Sequence, residues 1–181
     1  MRIPIVGVIC SGTRKAGKPA RRAREIGEWL ATERVHLLTG GGQGLMAVVS
    51  SAFHAVPDRD GLVIGIVPCE PSDPARPKHG YPNRWVEIPI YTHLPWSGAQ
   101  GTDPLSRNHI NVLTSDVIVA LPGRKGTLSE IVLALKYQPR AVAAYLADRS
   151  EIPGLPEEVP VFDELREIQA FVRSALKRAP K

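Results

Sequence analysis

The sequence predicts a three-layer α/β domain on a mostly parallel sheet, and three features predict it. Apolar runs of strand length alternate with segments of helical periodicity along most of the chain. Several of those runs are continuously apolar, as strands covered on both faces require. Three of them end in turns rich in small residues that lead straight into a helix, the pattern of a doubly wound, Rossmann-like sheet.

The elements follow in order. Residues 3–10 read as a first strand, and residues 19–34 as a helix with Ala23, Ile26 and Leu30 on one face. A second strand covers 35–39, and a helix over 44–56 gathers Leu45, Val48, Val49, Ala52 and Phe53. Strands at 62–67 and 86–91 come next, then a short helix over 106–113 and a strand at 117–121. The helix at 127–137 groups Leu128, Ile131, Val132 and Leu135. A sixth strand at 141–146 precedes a closing helix over 163–178, with Leu165, Ile168, Val172, Ala175 and Leu176 on one side. A length of 181 residues suits one domain, spanning 1–181.

Residues 68–106 interrupt this rhythm and hold eight of the 17 prolines. So long a connection inside a compact domain is commonly functional or disordered. It follows a strand C-terminus, where open α/β sheets bind ligands. It therefore reads as pocket wall, with surface decoration as the alternative. Tyr81, Trp85, Tyr91 and Trp96 lie in it, each able to stack on a base or to pack the loop onto the domain.

Net charge is +5, which favours anionic partners without selecting among them. Arg14, Lys15, Lys18, Arg21, Arg22 and Arg24 concentrate that excess, as a solvated helix face or as a phosphate-attracting surface. Nucleic acid is the weaker reading, because aromatics are few at 6%. The two cysteines, Cys10 and Cys69, have no metal-ligand spacing and read as buried reduced thiols. His36, His54, His79, His93 and His109 make no metal pattern either, so no metal site is expected. No apolar stretch approaches the roughly 18 residues that a membrane span needs. A cytoplasmic location is the expectation.

The three turns carry the chemistry. Ser11, Gly12 and Thr13 form the first; Gly40, Gly41, Gly42 and Gly44 the second; Gly123, Arg124, Lys125, Gly126 and Thr127 the third. Each sets backbone N–H groups at a helix start, where a bound anion is favoured. Neither a P-loop nor a GxGxxG fingerprint is present. The third turn has a second reading: Thr127 followed by Glu130 is the spacing of a capping box. Asp116, beside Ser115 and ahead of a buried strand, reads as structural, and His109 is near enough to Arg107 to reach a pocket.

The ordered segments ICSGT, LLTGGGQGLMAVV, GLVIGIVP and SRNHINVLTSDVIVALPGRKGTLSE resemble the LONELY GUY-type Rossmann family, long labelled lysine-decarboxylase-like. The resemblance covers roughly residues 3–146. That family's signature is PGGxGTxxE, with an arginine-lysine pair upstream. Arg107 stands 15 residues before Pro122, and Glu130 takes the glutamate position. The resemblance implies a phosphoribohydrolase that cleaves the base from a nucleoside 5′-monophosphate, without metal or other cofactor. Arg107 and Glu130 would be its catalytic pair. Gly123, Gly126 and Thr127 would hold the 5′-phosphate, and Gly41 and Gly42 would line the same pocket. It also implies a homo-oligomer, at least a dimer.

Two positions depart from that signature. Arg124 replaces its second glycine, where it is either strained or a further phosphate contact alongside Lys125; Asn108 replaces the lysine after Arg107. The segments IPIYTHLPW, RNHIN and GTLSEIVLALK resemble instead a sister group, the molybdenum cofactor carrier-like proteins. That resemblance implies a carrier without catalysis, holding molybdenum cofactor or a similar phosphorylated small molecule. Nothing marks a pyridoxal phosphate lysine, which argues against decarboxylation.

Overall fold

The computed structural model describes residues 2–13, 16–137 and 141–178. Its centre is a seven-stranded sheet built from β1 (Ile5–Ile9), β2 (His36–Thr39), β3 (Val63–Val67), β6 (Ile88–Tyr91), β7 (Val117–Ala120), β8 (Ala141–Tyr145) and β9 (Val161–Phe162). The strand order is β6-β3-β2-β1-β7-β8-β9, and every pair is parallel. A two-stranded antiparallel hairpin, β4 (Cys69–Glu70) with β5 (Asp73–Pro77), stands apart from it.

Among the described residues five α-helices cover the sheet: α1 (Lys18–Thr32), α2 (Leu45–His54), α3 (Asn108–Thr114), α4 (Lys125–Lys136) and α5 (Leu165–Arg178). Ile26 and Leu30 of α1, Val49 and Phe53 of α2, and Val172 of α5 join Val6, Val8, Val117 and Val119 in one core. Val112 of α3 with Ile131 and Ala134 of α4 packs on the other side against Ile9, Ile118 and Ala120. Successive residues of β1 and β7 thus enter opposite cores, which is why these strands carry no polar alternation. Each face burial removes apolar area worth roughly 25 cal/mol per Å².

The expected fold class is observed, with element ends shifted by a residue or two. Three strands escaped the sequence reading. β4 and β5 fall in the proline-rich stretch, and β5 is Asp-Pro-Ala-Arg-Pro, a poor strand by composition. β9 has only two residues. No helix among the described residues is long and apolar enough to cross a membrane.

The sheet reverses its winding between β1 and β7. Ligand crevices of open α/β sheets lie outside the carboxyl ends of strands at such a point. The turns after β1 and β7 flank it directly.

The basic cluster does not form one solvated face. Arg22 is 6% exposed; its Nη2 donates to Asp163 O at 3.4 Å, and its guanidinium lies 5.0 Å from the Tyr145 ring. Arg21 pairs with Glu25 one helical turn on, at 3.5 Å. Arg14 and Lys15 lie outside the described residues.

Candidate functional site

The three turns meet. The Ser11 N–H donates to Pro122 O at 3.3 Å, which joins the first turn to the third. The Leu45 N–H donates to Ser11 O at 3.0 Å, which joins the start of α2 to the first. Gly44 has φ +67, and a Cβ on it would come within 2.5 Å of the Gly12 carbonyl carbon, so glycine is required there on both counts.

Between these turns and α3 lies a cavity of about 170 Å³. Ser11 and Gly12 supply one side and Gly126 and Thr127 another. Arg107 and Glu130 close the inner end. The remaining wall includes Met46 of α2 and, from the proline-rich stretch, Tyr81, Ser97 and Gly98. That stretch is therefore pocket wall in part, as its position after a strand end suggested.

The other expected site residues sit behind or beside this wall. Thr13 is tied to Ser11, with 2.7 Å between hydroxyls. Gly41, at φ +70, has its carbonyl bound by the Asn83 N–H at 2.7 Å, and Gly42 O accepts from Asn83 Nδ2 at 2.9 Å. Both glycines thus anchor the loop that carries Tyr81. Gly123 backs onto Thr127: a Cβ there would lie 3.0 Å from Thr127 Cγ2. Arg124 and Lys125 are exposed and off the wall. Arg124 has φ −127, an extended conformation open to any residue, so the signature's missing glycine leaves no strain.

The capping box does not form. Arg124 is the N-cap of α4, so Thr127 is the third helical residue and Glu130 sits a turn further in. Thr127 is 2% exposed, and its Oγ1 has no hydrogen-bond partner. A buried hydroxyl left unsatisfied costs about 1–3 kcal/mol. Thr127 lines the cavity beside the first-turn amides of α4, where an anion is favoured, while its Oγ1 packs against Gly123.

Glu130 faces α3 instead. Its Oε1 accepts from Asn111 Nδ2 at 2.6 Å and from Arg107 Nη1 at 3.4 Å. The side chains of Arg107 and Glu130 are 5% and 9% exposed. Burial pushes the Glu130 carboxyl above the usual range; the Arg107 charge and the Asn111 hydrogen bond only partly oppose that. Arg107 is not the surface arginine that a helix start suggests. Its Nη1 also donates to Asn108 Oδ1 at 2.9 Å, and Asn108 Nδ2 donates to Ser129 Oγ at 3.1 Å. Gly40 makes room for the guanidinium, since a Cβ there would lie 2.7 Å from Arg107 Cζ. Arg107 Nε and Asn111 Oδ1 are, like Thr127 Oγ1, buried without partners.

Asn111 was not read from the sequence, yet a signal was present. It follows Arg107 by four residues, which puts both on one face of a helix. His109 does not reach the cavity wall; its Nδ1 lies 2.7 Å from the Tyr137 hydroxyl and its Nε2 2.9 Å from Asp103 O. Asp116 is structural, binding Arg2 and the Ile5 N–H. Trp85 packs beside His54, with ring centroids 5.4 Å apart. Cys10 and Cys69 are buried. Among the described residues no group of three or more His, Cys, Asp or Glu is placed to hold a metal ion.

Residues 3–161 match the SLOG cluster4 family. The chain belongs to that family. Among solved structures it is similar to the molybdenum cofactor binding protein of the phototrophic bacterium Rippkaea orientalis, at 30% identity and TM-score 0.74 over 97% of this chain and 99% of that one. It is also similar to the molybdenum cofactor carrier protein of Chlamydomonas reinhardtii, at 28% identity and TM-score 0.71 over 96% and 99% of the two chains. An uncharacterized protein of Archaeoglobus fulgidus is 30% identical over 143 residues, 79% of this chain and 81% of that one. This SLOG cluster4 chain therefore has carrier proteins as structural neighbours, in keeping with the second of its two sequence resemblances.

Proposed function

We propose that this protein binds and carries a phosphorylated small molecule, of the class of the molybdenum cofactor, with the phosphate in the cavity between the turns after β1 and β7. The observation that carries the reading is that Thr127, whose buried Oγ1 has no partner, lines one cavity together with Ser11, Gly126 and Arg107. Ser11 and the first-turn amides of α4 add neutral donors, and Arg107 adds a fixed cation. Similarity to the Rippkaea molybdenum cofactor binding protein and the Chlamydomonas carrier protein supports the same reading.

Thr127→Val tests it. The change removes a hydroxyl that bonds nothing within the protein, so stability should hold within about 0.5 kcal/mol or rise. Affinity for inorganic phosphate and for molybdenum cofactor, measured by calorimetry, should fall about tenfold, as for one lost hydrogen bond to a charged group. Unchanged affinity in a folded variant would refute the assignment.

A second reading, of the LONELY GUY type, is hydrolysis of a nucleoside 5′-monophosphate at its N-glycosidic bond. Glu130 on the same wall, 3.4 Å from Arg107, favours it. The carboxylate would stabilise positive charge on the ribose. The carrier reading expects no adenine release from AMP over the unfolded-protein control; release that Glu130→Gln abolishes would establish the hydrolase. A homo-oligomer belongs to both readings, and light scattering measures it.

A further inference from the structure

The cavity described above is too small for the whole of such a ligand. Sites for small molecules enclose roughly 300–1,000 Å³. About 170 Å³ holds a phosphate and part of what is attached to it. The remainder must lie outside, and only certain parts of the wall open onto further space.

Gly12 lines a second cavity as well as the first. The second is a groove of about 390 Å³ along the outer side of α2. Ala47, Val48 and Ser51 line it, Gln43 and Gly44 stand at the helix start, and Trp85 forms a wall. Gly12 is not required by its backbone, which lies outside the left-handed region, and a Cβ there would meet only the flexible end of Met46, at 3.3 Å. A side chain at Gly12 would take up space at the border that the two cavities share.

The groove's chemistry differs from that of the phosphate cavity. Trp85 is held in place by the tilted His54 ring at 5.4 Å and by the Arg84 guanidinium 4.7 Å from its centroid. Gln43 Nε2 is anchored on Gly80 O at 2.8 Å, which leaves the amide oxygen to accept. An indole beside a small apolar floor, with one acceptor at the edge, suits a flat heterocycle carrying ring N–H or amino donors.

Resting on the proposed anion cavity, we infer that the ligand spans both spaces: its phosphate lies at Thr127, and a flat nitrogen heterocycle passes Gly12 into the groove beside Trp85. A purine and a pterin share this chemistry, and the test separates them.

Calorimetry would compare inorganic phosphate, AMP and a pterin monophosphate on the wild-type chain, Trp85→Ala and Ala47→Leu. Trp85→Ala removes the wall; Ala47→Leu fills the groove with a residue that suits a helix and does not line the phosphate cavity. At least one heterocyclic ligand should bind the wild-type protein about tenfold more tightly than phosphate. Both variants should erase most of that margin, with about tenfold loss for the heterocycle and less than twofold for phosphate. Whichever ligand shows the larger margin names the heterocycle. Equal losses for phosphate and heterocycle, or no loss in either variant, overturn the spanning arrangement and leave the anion cavity standing. Absence of phosphate binding to the wild-type protein overturns the anion cavity itself, and the spanning arrangement with it.

Discussion

Replacing Arg107 by Met strips the buried Glu130 carboxyl of its cation and leaves it one donor, Asn111 Nδ2 at 2.6 Å. Both partners are under 10% exposed, so solvent screens their interaction little. Removing one member of a buried pair costs about 3–5 kcal/mol, because the other charge remains buried without compensation. For a chain of this size each kcal/mol shifts Tm by roughly 2–4 °C, so a fall of about 6–20 °C is expected. The loss must depend on pH. Glu130 titrates above its ordinary 4.5 in the folded protein, chiefly through burial, and loss of Arg107 raises it further. A carboxyl with a raised folded pKa binds its proton more tightly in the native state. Its contribution is therefore favourable below about 4.5 and is lost as pH rises from there to the folded pKa. The variant's deficit should be smaller at pH 4 than at pH 8. Urea unfolding at the two pH values measures it. A deficit equal at both, or below about 1 kcal/mol at pH 8, would refute the buried pair as described. Arg107→Met with Glu130→Leu should recover most of the loss, since an apolar pair of similar volume replaces the ionic one.

Two further expectations follow from the same geometry. Gly40→Ala sets a methyl 2.7 Å from Arg107 Cζ, and Asn108 and Glu130 prevent the guanidinium from swinging aside. A loss of about 1–3 kcal/mol is expected, largely absent when Gly40→Ala is made in the Arg107→Met background, a coupling that a double-mutant cycle by urea unfolding reads directly. Arg124→Ala should change stability by no more than about 0.5 kcal/mol and phosphate affinity by less than about threefold at roughly 0.15 M salt, because this exposed side chain is off the cavity wall; a tenfold loss of affinity by calorimetry would show that it reaches the anion.

The parallel sheet was legible because Val6, Val8, Ile9, Val117, Ile118 and Val119 form apolar runs that only two-sided burial explains. β9 was not, since two residues carry no period. Within the site, the order of Arg107, Gly126, Thr127 and Glu130 pointed to the residues that meet at the cavity. The Thr127–Glu130 spacing also pointed to a cap, and local spacing could not decide between them. The decision came from Arg124, whose extended backbone starts α4 early and turns Thr127 inward. Asn111 shows the complementary limit. Its spacing from Arg107 fixes a shared helical face, but only the packing of α3 on α4 reveals that this face meets Glu130.

Whether the site is arranged for holding or for turnover bears on Asn108. In the hydrolase signature a lysine takes this place; here Asn108 Oδ1 binds Arg107 at 2.9 Å while its Nδ2 binds Ser129, which in turn reaches Gly126 O at 2.7 Å. The amide thus ties the arginine to the first turn of α4 and adds no charge. A carboxyl that is to stabilise an oxocarbenium ion has to be ionised and turned toward the ribose. Glu130 has Oε1 bound to Asn111 and Arg107, and burial favours its protonated form. Uncharged Asn108 in the lysine's place, and a carboxyl already held by Asn111 and Arg107, together support retention of an anion over cleavage of the bond beside it.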